Sequence, residues 1–136
     1  MFKVVEKICD EPLRMLAKPG VKFRPGFVVK LVELGGDMVC DLADEKNALG
    51  IAGSRLHIKD ESLRFEPKSM LKVWAQRMVF RTDLYDKTHE MCTGMSLFVS
   101  DDGLLTTGKP EGTKLYVAKL ISPPDEEHAY LEALWL

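Results

Sequence analysis

His89 and Cys92 stand three residues apart in His89-Glu90-Met91-Cys92, where two side chains able to bind a metal or to activate one another share a turn. A stable zinc centre takes four protein ligands, or three and a water. The remaining histidines, His57 and His128, lie far from either residue along the chain. A catalytic thiol needs a base beside it and donors aimed at the developing oxyanion, and no such donor loop is recognisable near Cys92. Cys40 sits within an apolar run and reads as a small core residue. The GxSxG elbow, the phosphate-binding P-loop and GxGxxG are all missing from the sequence. The acidic pairs Asp44-Glu45 and Asp101-Asp102 fall in turns, where aspartate favours the backbone geometry. The expectation is a protein that is not an enzyme, with no catalytic residue, no cofactor and no metal.

A second chemistry is base stacking. Trp74, Phe80, Phe98 and Tyr116, with Lys72, Arg77 and Arg81 nearby, are the residue types with which a small β-barrel holds single-stranded nucleic acid. Aromatic residues on strands more often fill cores, however, and 19 basic against 21 acidic residues leave a net charge of -2. That balance supplies no surplus to draw in a polyanion. Nucleic-acid binding is therefore the alternative of another class and not the leading expectation. The seven methionines read as core filling.

The elements that carry these residues are short. Gly and Pro recur along the whole chain, as at Pro19-Gly20, Pro25-Gly26, Gly35-Gly36, Gly103 and Pro123-Pro124, and between them lie runs of Val, Leu, Phe and Ile. This spacing predicts an all-β fold, a small barrel or sandwich built of hairpins. Phe27–Leu34, Gly35-Gly36 and Asp37–Ala43 read as one hairpin, since two glycines suit the positive φ of a primed turn. Ser96–Thr107 reads as another, with Asp101-Asp102-Gly103 as its three-residue loop. Met70–Arg81 reads as a single strand covered on both faces, and Lys114–Ser122 as a further strand. Ser54–Ser69 is charged and weakly periodic, which predicts a loop with a short helical turn. The last residues alternate, with Leu131, Ala133 and Trp135 opposite Tyr130, Glu132, Leu134 and Leu136. They predict a closing strand, with a helix after Pro124 as the alternative.

A length of 136 residues with 46% hydrophobic content fits one domain with its own core. Residues 1–24 read either as an arm that adds a strand to a neighbouring sheet or as an ordinary first strand. Residues 25–136 read as the β domain, with two lobes at 25–53 and 70–136 as an option. The apolar and basic residues Phe2, Val4, Leu13, Arg14, Leu16 and Phe23 are the candidate partner contacts on that first segment. Three widely spaced cysteines suit free thiols. The N-terminal MFKVVEKICDEPLR has no apolar run long enough for a signal peptide, so folding in the cytoplasm is expected.

One family resemblance adds to this reading. VWAQRMVFRTDLYD, GMSLFVSDDGLLTTGKP, LYVAKLISPP and the ending LEALWL, between Val73 and Leu136, resemble the C-terminal part of tailed-bacteriophage virion proteins of the capsid-decoration kind. Glu6–Pro12, Ala17–Val21, Pro25–Val29 and Ala48–Ile51 are similar to blocks of the same proteins. The departure lies at Gly53–Ser69, where longer relatives carry an insertion. The resemblance implies a β-barrel-like, non-enzymatic subunit that binds the major capsid protein and stabilises the shell from outside. It also implies a homo-oligomer, with a trimer the natural guess, located on the virion and made in the bacterial cytoplasm, with no membrane contact. A tail, baseplate or head-to-tail joining component is the alternative within structural proteins.

Overall fold

The computed structural model describes residues 1–9, 11–57, 69–111 and 116–136, with the side chains of 55–57 and 69 excepted. The described residues form an all-β fold without a helix. In chain order the strands are β1 (Phe2–Lys7), β2 (Leu13–Ala17), β3 (Val28–Leu34), β4 (Asp37–Leu42), β5 (Gly50–His57), β6 (Ser69–Trp74), β7 (Met78–Thr82), β8 (Ser96–Val99), β9 (Leu105–Thr106), β10 (Ala118–Ser122) and β11 (Leu131–Trp135). Strands β2-β4-β3-β5-β6 close into a barrel, and β1-β7-β11-β10-β8-β9 form a six-stranded sheet.

Both hairpins follow from their turn residues. β3 and β4 pair antiparallel through Leu34↔Asp37, and Gly35 and Gly36 between them have φ of 59° and 86°. Such a turn matches the right-handed twist of its strands. β8 and β9 pair through Val99↔Leu105. Their loop is closed by the Gly103 N–H donating to the Ser100 carbonyl at 3.1 Å. Gly103 has φ of 76°, and a Cβ there would stand 2.8 Å from the Val28 carbonyl oxygen. That close approach lets the Val28 N–H donate to the Gly103 carbonyl at 2.8 Å, so the hairpin loop of the sheet is docked onto β3 of the barrel.

Two buried clusters result. Inside the barrel lie Ala17, Val29, Cys40, Ala52, Leu71 and Val73. Between barrel and sheet lie Val28, Ala43 and Ile51 from the barrel, packed with Met78, Phe80, Leu97, Leu105, Leu120, Leu131 and Trp135 among others. Period-two alternation produces this division, because neighbouring residues on a strand face opposite ways. Val29 fills the barrel while Val28 faces the sheet; Ala52 and Ile51 divide the same way. Full burial of each large apolar side chain contributes roughly 1.5–3 kcal/mol.

Met70–Arg81 is not the single strand expected from its pattern. It is two strands, β6 in the barrel and β7 in the sheet, broken at residues 75–77. The buried parity changes across the break, from Leu71 and Val73 to Met78, Phe80 and Thr82. Apolar residues on both parities disguise that change as one strand covered on both faces.

The N-terminal segment crosses in step with it. β1 pairs antiparallel with β7 from Phe2↔Thr82 to Lys7↔Met78, and β2 pairs antiparallel with β6 from Leu13↔Val73 to Leu16↔Met70. Between the two ladders the Gln76 side chain takes over the pairing. Its Oε1 accepts from the Ile8 and Cys9 N–H groups at 2.9 and 2.8 Å, and its Nε2 donates to the Cys9 carbonyl at 2.9 Å. β1 and β2, paired with β7 and β6, thus form an antiparallel ribbon that runs through both sheets.

The closing strand expected at the C-terminus is present as β11, between β7 and β10, with Leu131, Ala133 and Trp135 buried. Of the strand expected over Lys114–Ser122, the part from Ala118 forms β10, and residues 114–115 lie outside the described residues. Of the loop expected over Ser54–Ser69, the first residues continue β5 and Ser69 opens β6, while 58–68 lie outside the described residues.

Candidate functional site

The six candidate contacts separate into three places. Phe2 and Val4 are half-buried on β1 against the layer between sheet and barrel, and the Phe2 ring lies 5.9 Å from that of Phe80. Phe23 is half-buried against the barrel interior. Leu13, Arg14 and Leu16 share β2: Leu13 and Arg14 are exposed and Leu16 is half-buried.

Alternation sets what the β2 residues can do. Met15 and Ala17 pack on the barrel interior, so Arg14 and Leu16 belong to its outer wall. Leu16 is level with Val39 on one side and Met70 on the other, and Val39 is level with Val32. Half-buried Val32, Leu16 and Met70 therefore make an apolar row with Val39, itself buried, across four strands of the outer wall. Leu34, 46% exposed, extends this apolar surface toward the tip of the β3–β4 hairpin, whereas Met38, 51% exposed, has the parity of Cys40 and lies on the opposite face. Sequence reasoning located Leu16 but missed the row, because Val32, Val39 and Met70 come together only through strand pairing.

The residues considered for catalysis or metal binding take other roles. The Asp86 carboxylate accepts from the Thr88 N–H at 2.9 Å, the Thr88 hydroxyl at 2.6 Å and the Thr106 hydroxyl at 3.0 Å. These bonds, that of the Thr88 hydroxyl foremost, hold its carboxyl well below the usual carboxylate range. His89 Nδ1 lies 3.1 Å from Asp86 Oδ2, and the ring covers Gly108, where a Cβ would approach within 2.6 Å. The cluster fastens the 86–89 turn to β9 and to Gly108. Cys92 Sγ meets the Glu90 carboxylate at 3.7 Å. Among the described residues no three His, Cys, Asp or Glu side chains converge as a metal site. Cys40 is fully buried, and burial pushes its thiol up to about 11. The Asp86-Lys87-Thr88 spacing is the sequence sign of this side-chain-to-backbone turn.

The aromatic residues do not share one exposed platform. Phe80 is fully buried, and Trp74 is half-buried under the Lys7 ammonium, 5.2 Å from the ring centroid. Tyr116 is exposed with Lys119 Nζ 4.7 Å from its ring centroid, and Arg81 lies 5.4 Å from the Tyr130 ring, which stacks on His128.

A cleft of about 300 Å³ opens between the β4–β5 loop and the end of the sheet, lined by Asp44, Leu49, Val99, Tyr116, Trp135 and Leu136 among others. At its rim Lys30 Nζ donates to Asp44 Oδ2 at 2.7 Å. That bond lowers the Asp44 pKa and raises that of Lys30. The cleft offers an apolar floor and a paired charge at its edge. Among the described residues no helix is long and apolar enough to cross a membrane.

Compared with known proteins, the chain matches no family model and no curated protein.

Proposed function

We propose that this chain is a non-enzymatic structural protein of a tailed-bacteriophage virion that binds the outer capsid shell and stabilises it. Its partner in this reading is the major capsid protein of the same phage, and it acts as a homo-oligomer on the capsid surface. The resemblance of the Val73–Leu136 blocks to capsid-decoration proteins supports the reading. The observation that carries it furthest is the apolar row on the outer barrel wall, where Leu16, Val32 and Met70 are half-buried, beside exposed Arg14. A shell-binding protein gains from shape-matched contact repeated over many copies. A closed barrel presents such a wall rigidly, since its strands pair on both sides.

The test is co-sedimentation of the purified protein with mature capsids stripped of accessory proteins, followed by heating. Binding that saturates, tolerates salt and raises the temperature of shell rupture supports the reading. Leu16→Asp, at a half-buried position of the same wall and with folding verified by circular dichroism, is expected to reduce binding by about tenfold or more, given about 1.4 kcal/mol per decade. Absence of binding at saturating protein overturns the reading. Retention on single-stranded DNA that falls steeply with salt moves the protein to the nucleic-acid class.

A further inference from the structure

We propose that β1 is a self-recognition strand, through which two copies of this chain join their six-stranded sheets edge to edge around a two-fold axis. It extends the homo-oligomer of the proposed function and requires no capsid.

β1 is the end strand of its sheet, with β7 on one side and no described strand on the other. A free edge presents unpaired backbone groups to any extended chain, and proteins commonly blunt it with charge or a bulge. β1 has both devices, and their arrangement is self-complementary. The bulge lies between Val4 and Glu6, so that Val4 is level with Phe80 while Glu6 is level with Val79. Phe2, Val4 and Lys7 are consequently level with Thr82, Phe80 and Met78, which are buried, and Lys3 and Glu6 are level with Arg81 and Val79 of the outer face. In a regular strand residues 3 and 6 would face opposite ways. The extra residue brings them to the same face.

A two-fold axis normal to the sheet keeps every residue on its own face. Centred between Val4 and Val5, it places Lys3 of each copy opposite Glu6 of the other, Val4 opposite Val5, and Phe2 opposite Lys7. Without the bulge this register would set each outer residue against an inner one. Continued by one residue, it places Met1 opposite Ile8. Met1, Val5 and Ile8 are 49%, 40% and 78% exposed, three of the nine large apolar side chains so exposed among the described residues.

The charges explain why the occupant is a second copy. Among the described residues neither Lys3 nor Glu6 makes an ion pair within the chain, and Lys3 is level with the like charge of Arg81. Opposite charges directly across a pair of strands stabilise it, and like charges oppose it. A copy of β1 supplies the opposite charge to both Lys3 and Glu6 in one register.

Analytical ultracentrifugation of the full chain, with circular dichroism to verify folding, tests this. The wild-type protein is expected to form a dimer that weakens with salt. Lys3→Glu alone and Glu6→Lys alone each set like charges opposite one another at both contacts, and each is expected to weaken dimerisation by about tenfold or more. An equimolar mixture of the two folded variants restores opposite charges at both contacts, and is expected to recover the dimer as a one-to-one heterodimer. A monomeric or trimeric wild type, single variants with unchanged dimerisation, or a mixture that stays monomeric overturns the proposal. Capsid binding is measured separately, so failure of the shell reading leaves this outcome distinct.

Discussion

The barrel and the layer between barrel and sheet solve the packing problem in opposite ways. The closed barrel has an interior set by five strands, and it is filled by Ala17, Val29, Cys40, Ala52, Leu71 and Val73. The layer against the open sheet takes Phe80, Met78, Trp135 and several leucines. A closed surface fixes the space its side chains must fill, whereas an open sheet can settle on large ones. The difference teaches that the two regions are sensitive to opposite errors: the layer to removal of volume, the barrel to addition.

Phe80→Ala should break the layer most severely. The ring is fully buried, and its loss is expected to lower stability by about 3–5 kcal/mol in urea unfolding. A loss below about 1 kcal/mol, the range of an ordinary surface change, would show that the sheet is not held on the barrel by that layer. Ala52→Leu sharpens the barrel side, where added methylenes are expected to cost about 1–3 kcal/mol through overpacking. The same kind of enlargement at exposed Ala129 should be nearly silent.

Gly103→Ala tests the link between the regions. Its φ of 76° and the 2.8 Å approach to the Val28 carbonyl oxygen disfavour any side chain. A loss of about 1–3 kcal/mol is expected, detectable as a lowered urea midpoint.

Smaller effects come from the polar clusters. The folded-state pKa of Asp86 is depressed, so the unfolded chain takes up its proton first as pH falls. Its contribution is fully present above the ordinary carboxylate range, near about 4, and is lost as pH drops through the folded value. Asp86→Asn is therefore expected to flatten the acid limb of a urea-midpoint-against-pH curve, with an unchanged slope in the alkaline range. Lys30→Met removes a half-exposed ion pair and is expected to change stability by less than about 1 kcal/mol, least at high salt. An effect as large as that of Phe80→Ala would make the cleft rim, and not the apolar layer, the decisive contact.

Local pattern made much of this fold legible. Gly35-Gly36 and Asp101-Asp102-Gly103 marked both hairpins, since their turn chemistry acts over four residues. The alternation of Leu131, Ala133 and Trp135 marked the last strand. The passage from barrel to sheet at 75–77 was hidden, because the buried face changes parity within a run that is apolar on both parities. The ribbon of β1 and β2 with β7 and β6 was hidden for a different reason, as its partners are more than fifty residues apart. Gln76, which joins its halves, is an ordinary polar residue until Ile8 and Cys9 are placed beside it. Of the candidate contacts, Leu13, Arg14 and Leu16 fall together on one strand, while Phe2, Val4 and Phe23 pack on cores of their own chain.

The shell-binding reading is tested most directly by imaging mature capsids, stripped of accessory proteins, after incubation with saturating wild-type protein. The expected result is ordered density on the outer shell at regular lattice positions, with the outer barrel wall around Leu16 turned toward the capsid protein. Bare shells, or density confined to the tail vertex, would contradict it.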